Sequence, residues 1–107
     1  MIAGVHGLAG RRRDLRALLD ELAGAALGEP GCDQFRVLEL ADPGEMVLIV
    51  AWADDRALRA HFATPHYRRY RQAVGELLAR PSDVTIHHVS QTIHPIDPGP
   101  PDPVRFD

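Results

Sequence analysis

Apolar residues in the first part of the chain recur with the spacing of an amphipathic helix. Between residues 11 and 27 they lie three or four positions apart: Leu15, Leu18, Leu19, Leu22 and Ala26. This spacing places them on one stripe of a helix. A shorter run of small and apolar residues, Ile2–Leu8, precedes it and ends among glycines, which is typical of a strand. The pattern predicts a strand and then a helix that ends at Gly28–Gly31.

A second pattern predicts an antiparallel hairpin. Cys32–Ala41 and Met46–Ala53 are both strand-like, and Asp42-Pro43-Gly44 separates them. Proline fixes φ and the following glycine can take positive φ, which favours a tight reversal. The returning strand, MVLIVAWA, is apolar on both faces, whereas an antiparallel sheet with one wetted face alternates apolar and polar residues.

The remaining elements complete an α+β arrangement. Asp54 is typical of a helix N-cap and begins a short helix that reaches Phe62, while Thr64-Pro65 begins a second helix with a hydroxyl cap and a first-turn proline. Val84–Ile93 resembles a final strand. The order is strand, helix, strand, strand, helix, strand. It predicts a ferredoxin-like βαββαβ subunit with a four-stranded antiparallel sheet and helices on one face.

The sheet face without helices requires a second layer, and the chain contains no further element to supply it. An identical subunit is the simplest source, because two equal sheet faces can pack against each other about a two-fold axis. The sequence therefore predicts a homodimer. We assign residues 1–93 to the domain, and residues 94–107, which contain five prolines, to an extended C-terminal tail.

Composition narrows the function classes. The 107 residues carry a net charge of −3 with a pI near 6.0. The arginines are spread along the chain apart from two clusters on predicted helices, Arg11–Arg13 and Arg68–Arg71, which are expected to face solvent, so nucleic-acid binding is disfavoured. The single cysteine, Cys32, excludes an internal disulfide. No apolar run approaches the roughly 20 residues of a membrane span, and the N-terminus lacks the pattern of a secretion signal. We therefore expect a cytoplasmic protein with no membrane partner.

Two histidines are candidates for a general base, because the reference pKa of imidazole lies near operating pH. His61 and His66 lie five positions apart, and Thr64-Pro65 interrupts the helix between them. This is not the i, i+4 pair that binds zinc along a continuous helix, so the sequence predicts no metal site. The alternatives remain open: His61 as a partly buried helix residue, and His66 as a first-turn surface residue.

Aromatic residues gather in the same part of the sequence and are candidates for a substrate lining: Phe35, Trp52, Phe62, Tyr67 and Tyr70. A flat organic molecule could stack among such rings, with the tyrosine hydroxyls orienting it. The alternative is that these side chains are ordinary core. Aromatic residues at such spacings are more often core, but their density in a small region, in a chain whose other core residues are Leu, Val and Ala, weakens that alternative.

Several of these features together resemble a known family. They are PGC before the second strand, Phe35, the Asp-Pro turn, Trp52 at the end of the third strand, and the run ALRAHFATPHYRRY. Residues 1–93 resemble the antibiotic biosynthesis monooxygenase (ABM) domain of the small quinol monooxygenase type, within the dimeric α+β barrel superfamily. The resemblance implies a homodimer with a pocket between sheet and helices in each subunit.

The resemblance also implies a reaction without metal, flavin or haem, in which dioxygen is the co-substrate and a quinol or polycyclic aromatic is oxidised. Deprotonation of a phenol would give an anion able to reduce dioxygen, so the protein supplies a base, orientation and a dry cavity. The implied base is His61 or His66, and the implied walls are Trp52, Phe62 and the two tyrosines.

The chain departs from relatives at informative positions. Val50 stands where many relatives carry a glutamate two residues before the tryptophan. The Trp and His positions of haem-degrading relatives fall on His61 and Arg71, which disfavours haem cleavage. HFATPHY also resembles an isomerase branch that processes a phosphorylated quorum signal, for which Arg36 or Arg69 would line the pocket. A non-catalytic binding dimer is the third hypothesis.

Overall fold

The computed structural model describes residues 1–95 and has the predicted order of strands and helices. Its elements are β1 (Ile2–His6), α1 (Arg12–Leu27), β2 (Cys32–Glu39), β3 (Glu45–Trp52), α2 (Asp55–Phe62), α3 (Pro65–Val74), a 3-10 turn (Gly75–Leu77) and β4 (Asp83–Thr85). The four strands form one antiparallel sheet in the order β2-β3-β1-β4. This confirms the α+β, ferredoxin-like fold predicted from the sequence.

The core lies between the sheet and the helices. From α1 the predicted apolar stripe is buried, with Leu15, Leu19 and Leu22 at its centre, except for Leu18, which is only partly buried. It packs on the strand residues that point to the same side: Ala3, Val5, Phe35, Met46, Leu48 and Val50. No helix within residues 1–95 combines the length and apolarity that a bilayer crossing requires.

The turn between β2 and β3 requires glycine for a steric reason. Gly44 has φ of 83°, and a Cβ there would lie 2.9 Å from the carbonyl oxygen of Gly7. The Gly7 amide donates a hydrogen bond of 2.8 Å to the Gly44 carbonyl. The hairpin turn therefore sits directly against the chain that leaves β1, which fixes the position of β3 beside β1.

The predicted caps separate α2 from α3. The Asp54 carboxylate accepts a hydrogen bond of 2.8 Å from the Ala57 amide at the start of α2. Thr64 Oγ1 accepts from the Tyr67 amide at 3.2 Å and donates to the His61 carbonyl at 2.7 Å. Thr64 thus ties the end of α2 to the start of α3. The break between the helices is rigidly defined.

The last strand is shorter than the predicted Val84–Ile93. Only Asp83–Thr85 pairs with β1, with Thr85 opposite Ile2, and the residues that follow belong to no helix or strand up to residue 95. Because β1 begins at Ile2, residues after Thr85 run past its end and find no strand partner. The predicted tail, residues 94–107, lies outside the described residues apart from its first two.

The two faces of the sheet differ in what covers them. Along β3, Met46, Leu48 and Val50 point to the helices and are buried. Residues directly opposite each other in the ladder share a face, so Ile2 and Ile49 lie together on the other side. We call this second side the open face. Ile2 there is 48% exposed, so the open face presents apolar surface, as the two-sided apolar strand predicted.

Candidate active site

Three side chains from three elements meet at one carboxylate oxygen. Glu29 Oε2 lies 2.7 Å from His61 Nδ1 and 2.7 Å from His66 Nε2. Glu29 follows α1, His61 lies in the last turn of α2 and His66 in the first turn of α3. The His61 side chain is 1% exposed, and the other two are largely buried. The two predicted histidines therefore belong to one hydrogen-bonded network.

The turn after α1 positions Glu29. Gly31 has φ of 83°, and a Cβ there would lie 2.6 Å from the Ala57 Cβ. Only glycine allows this close approach of the turn to α2. The Gly31 carbonyl accepts a hydrogen bond of 2.7 Å from the Ala53 amide, which fixes the turn against the end of β3. Glu29 is thereby held beside α2.

The hydrogen bonds assign the tautomer of His61. An ionised carboxylate only accepts hydrogen bonds, so both histidine nitrogens that contact Glu29 Oε2 donate. His61 in its neutral form then carries its proton on Nδ1 and leaves a lone pair on Nε2. Within residues 1–95, Nε2 has no hydrogen-bond partner. A histidine fixed in this way by a carboxylate is equipped to accept a proton at Nε2.

Aromatic rings surround His61. Its ring centroid lies 4.8 Å from that of Trp52, 5.1 Å from Tyr67 and 5.7 Å from Phe62. Phe35 lies at 6.3 Å, and Tyr70 extends the cluster through Tyr67 at 6.0 Å. The structure therefore brings all seven residues that the sequence singled out into one cluster with His61 at its centre.

A cavity of about 560 Å³, the main cavity, opens beside this cluster between the sheet and α3. Five of the seven predicted site residues line it: Phe35, His61, Phe62, Tyr67 and Tyr70. The rest of its wall is mostly apolar and includes Leu22 and Leu48. Its volume and lining are those of a small-molecule site.

Trp52 and His66 stand outside the main cavity. Trp52 packs against His61 but lines a separate cleft of about 500 Å³ near Ile49 and Asp55. Its Nε1 is buried and has no hydrogen-bond partner within residues 1–95. His66 contacts Glu29, lies 5.9 Å from the His61 ring centroid and lines a small pocket beside α1. In this geometry Trp52 packs against the His61 ring without lining the main cavity, and His66 hydrogen-bonds the Glu29 carboxylate.

The two tyrosines of the main cavity have different surroundings. Burial raises the pKa of Tyr70 to about 12, so its hydroxyl stays protonated and can only orient a ligand. Tyr67 accepts a hydrogen bond of 3.4 Å from Arg71 Nη1. This contact raises the pKa of Arg71, which keeps its positive charge.

The same network contains the donor set of a metal site. The ligand atoms of Glu29, His61 and His66 lie within 4.8 Å of one another. Two imidazoles and a carboxylate suit zinc or iron. The sequence predicted no metal site because the two histidines do not have the i, i+4 spacing of a continuous helix. The break between the helices at Thr64 nevertheless brings them together.

Cys32 is not a candidate nucleophile, because burial raises the pKa of its thiol.

Sequence reasoning missed Glu29. The one available signal is its position: it follows the C-terminal end of α1, where the helix dipole is negative and a carboxylate is unfavourable. An acid in that position, next to the Pro30-Gly31 turn, requires a compensating donor elsewhere. The structure supplies two donors, both histidines.

A second histidine network occupies the open face. His6 Nε2 lies 2.7 Å from Asp83 Oδ2, and His6 Nδ1 contacts Glu45 Oε2. Arg80 Nη2 lies 3.1 Å from the same Nδ1. The hydrogen bond to Asp83, followed by that to Glu45, raises the pKa of His6 against the opposing effect of burial and of Arg80. Both nitrogens of His6 are engaged.

Neither arginine expected for the isomerase branch lines the main cavity. Arg36 lies opposite Ile49 on the open face. Arg69 lies at the small pocket beside His66. Arg71 is the only arginine among residues 1–95 that lines the main cavity.

Comparison with known proteins identifies relatives of this site and fold. Residues 2–73 match the family described as Antibiotic biosynthesis monooxygenase. The protein Rv0793 of Mycobacterium tuberculosis, named as a candidate monooxygenase, is 45% identical over 75 residues, which are 70% of this chain and 74% of that protein. The solved structure of Rv0793 has a TM-score of 0.78 at 39% identity and covers 86% of this chain and 95% of its own.

A structure from Deinococcus radiodurans, described as a candidate antibiotic biosynthesis monooxygenase, has a TM-score of 0.81 at 24% identity. It covers 90% of this chain and 96% of its own, and at that identity it supports the fold alone. The family match extends over well more than half of the chain, and Rv0793 exceeds 30% identity over more than two thirds of both chains. The chain therefore belongs to the antibiotic biosynthesis monooxygenase family.

Proposed function

We propose that this protein is a monooxygenase that oxidises a quinol-like or polycyclic aromatic substrate with dioxygen and uses no metal or organic cofactor. One observation carries the proposal: His61, fixed by Glu29 through Nδ1, keeps Nε2 free beside a cavity lined by aromatic rings. Family membership and the name of Rv0793 support the same class of reaction.

The proposed reaction begins with proton transfer. His61 Nε2 takes the phenolic proton of the substrate, and the ionised Glu29 stabilises the imidazolium that forms. The substrate anion then passes an electron to dioxygen, and the resulting radical and superoxide combine into a carbon–oxygen bond. When the peroxide bond breaks, the substrate has lost two hydrogens and gained one oxygen atom. His61 returns its proton to the outer peroxide oxygen, and that oxygen leaves as water together with the hydrogen that the newly oxygenated carbon gives up.

The cavity supports this chemistry by excluding water and orienting the ring. Phe35, Phe62 and Tyr67 offer ring faces and edges, while the protonated Tyr70 hydroxyl can hold a substrate oxygen. A largely apolar wall strengthens each electrostatic contact inside it. At about 560 Å³ the main cavity lies within the range of sites for small organic molecules.

Oxygen uptake tests the proposal. Chelator-treated protein is mixed with a panel of reduced naphthoquinols and anthrones, and incorporation of ¹⁸O from ¹⁸O₂ into the product is measured by mass spectrometry. We expect uptake above the uncatalysed rate and one labelled oxygen atom per product. Absence of uptake with every substrate would reject oxygenation. Activity that appears only after a divalent metal is restored would instead assign the Glu29 network to metal binding.

The active form is proposed to be a homodimer that packs open face against open face. The helices cover only the other face of the sheet, and Ile2 and Leu38 stay exposed on the open face at 48% and 36%. Two copies of this surface are equal in shape and polarity, so they can bury each other about a two-fold axis. A second copy is therefore the proposed occupant of the open face.

Sedimentation velocity at micromolar concentration tests this assembly. We expect a dimer for the wild type and a monomer for Ile49→Glu, because the substitution would bury a charge at the centre of the interface. Leu27→Glu is the control, since Leu27 is an exposed apolar residue on α1 and not on the open face. A wild-type monomer, or a dimer that survives Ile49→Glu, would contradict the proposed interface.

A further inference from the structure

We infer that Arg71 forms an anion-binding subsite at one end of the main cavity, and that the substrate is an aromatic molecule carrying an acidic substituent. This inference rests on the proposed function, since it names the class of substrate for the same cavity. It starts from the charge of the lining. No aspartate or glutamate of residues 1–95 lines the main cavity, whereas Arg71 does.

No carboxylate of residues 1–95 forms an ion pair with Arg71. Three other arginines, Arg11, Arg12 and Arg16, pair with carboxylates of residues 1–95. Among residues 1–95, Arg71 instead makes a single long hydrogen bond, 3.4 Å, to the Tyr67 hydroxyl. Most of the guanidinium donors therefore have no partner within the part of the chain that the structure describes. A carboxylate or phosphate can accept from two of them at once.

Tyr67 sets the distance between this subsite and the proposed base. Its ring centroid lies 5.1 Å from that of His61, and its hydroxyl lies 3.4 Å from Arg71. One phenol ring therefore spans the interval between His61 and the guanidinium. A substrate lying along Tyr67 would place an acidic group at Arg71 when its phenol lies at His61, with about one aromatic ring between the two.

The exposure of Arg71 limits how much an acidic substituent can improve substrate affinity. Arg71 is exposed at the rim, so solvent screens part of the attraction. We expect an acidic substituent to improve affinity about three- to tenfold, the range for a partly solvated charge pair with directed hydrogen bonds. Orientation of the substrate would contribute further through a lower KM.

Anaerobic titration of tryptophan fluorescence tests the subsite without turnover, because Trp52 is the only tryptophan and packs on His61. The probes are 1,4-dihydroxynaphthalene and 1,4-dihydroxy-2-naphthoate, which differ by one carboxylate, together with 1-naphthyl phosphate. We expect the wild type to bind the naphthoate about three- to tenfold more tightly than the neutral quinol. Arg71→Gln should abolish this preference, and Arg71→Lys should retain part of it.

Arg68→Gln is the matched control, since Arg68 is exposed on the same helix and does not line the main cavity. It should keep the full preference. Equal affinity for the naphthoate and the neutral quinol in the wild type, or a preference that survives Arg71→Gln, would overturn the subsite. Tighter binding of the naphthyl phosphate, lost in Arg71→Gln, would support the subsite and assign a phosphate to it.

The titration separates this inference from the proposed function. Preference for the acidic probe without any oxygen uptake would retain the subsite and reject oxygenation. Oxygen uptake with equal affinity for acidic and neutral quinols would reject the subsite and retain oxygenation. Where both hold, Arg71→Gln should raise KM for the acidic quinol by a larger factor than KM for the neutral quinol.

Discussion

The two faces of the sheet each carry a histidine bound to carboxylate, yet only one of these histidines is equipped for catalysis. On the helix side, His61 gives Nδ1 to Glu29 and keeps Nε2 free. On the open face, His6 contacts Asp83 through Nε2 and Glu45 through Nδ1. The difference lies in how many ring nitrogens the protein itself occupies.

The two histidines also differ in the residues and cavities around them. His61 is enclosed by rings and lines the main cavity. His6 lies in a ladder position of β1, does not line the main cavity, and has a raised pKa because Asp83 and Glu45 stabilise its protonated form. A protonated ring with both nitrogens bound cannot act as a base. The comparison assigns proton transfer to one face and structural stability to the other.

The largest expected contrast comes from matched substitutions of the two histidines. His61→Gln should lower kcat by about 10²- to 10⁴-fold, the usual contribution of a general base. His6→Gln should leave kcat near the wild-type value, because His6 does not touch the main cavity. Steady-state oxygen uptake with the best quinol measures both. Equal losses of kcat in the two variants would contradict the assignment of catalysis to His61 alone.

A smaller contrast is expected from the carboxylates. Glu29→Gln removes the charge that stabilises the protonated His61, a charge-assisted hydrogen bond worth about 2 kcal/mol. We expect kcat to fall about 30-fold with little change in KM. Glu45→Gln is the control on the open face and should leave kcat unchanged. If Glu29→Gln changed KM instead of kcat, Glu29 would serve substrate binding and not the base.

The smallest expected effect concerns stability and pH. Folding raises the pKa of His6 above its ordinary value of 6.5, so the folded state holds the proton more tightly than the unfolded state. The stabilisation is complete below pH 6.5 and is lost as pH rises through the raised pKa. Thermal unfolding from pH 6 to 9, at fixed protein concentration, should show the difference in Tm between wild type and His6→Gln narrowing with rising pH.

A constant difference in Tm over that range would show that His6 stabilises the fold by packing alone. His61→Gln is the matched variant on the helix side of the sheet. Its effects on Tm and on kcat can be measured on the same sample.

Local patterns were sufficient for most of the fold. The stripe on α1, the turn before β3 and the caps Asp54 and Thr64 depend on neighbours within a few residues, which the sequence displays directly. The predicted end of β4 was wrong because the length of β4 depends on where β1 begins, more than 80 residues earlier in the chain. Pairing over such a separation leaves no periodic signal.

The candidate site likewise contains residues that the sequence could predict and residues that it could not. The aromatic cluster and both histidines could be predicted because they lie in one short region. Glu29 could not, since it is 32 residues from His61 and its role depends on the close packing of Gly31 on Ala57. The pairing of His61 with His66 was also hidden, because a break between helices, and not helical spacing, brings them to one oxygen.

The protonation state of His61 tests the central claim most directly, and it requires no knowledge of the substrate. Long-range ¹⁵N–¹H correlation spectra of labelled protein distinguish the two neutral tautomers of each histidine. The account predicts that neutral His61 carries its proton on Nδ1 and has a bare Nε2, and that Glu29→Gln weakens this preference. A spectrum in which neutral His61 carries its proton on Nε2 would contradict the assignment of Nε2 as the catalytic base.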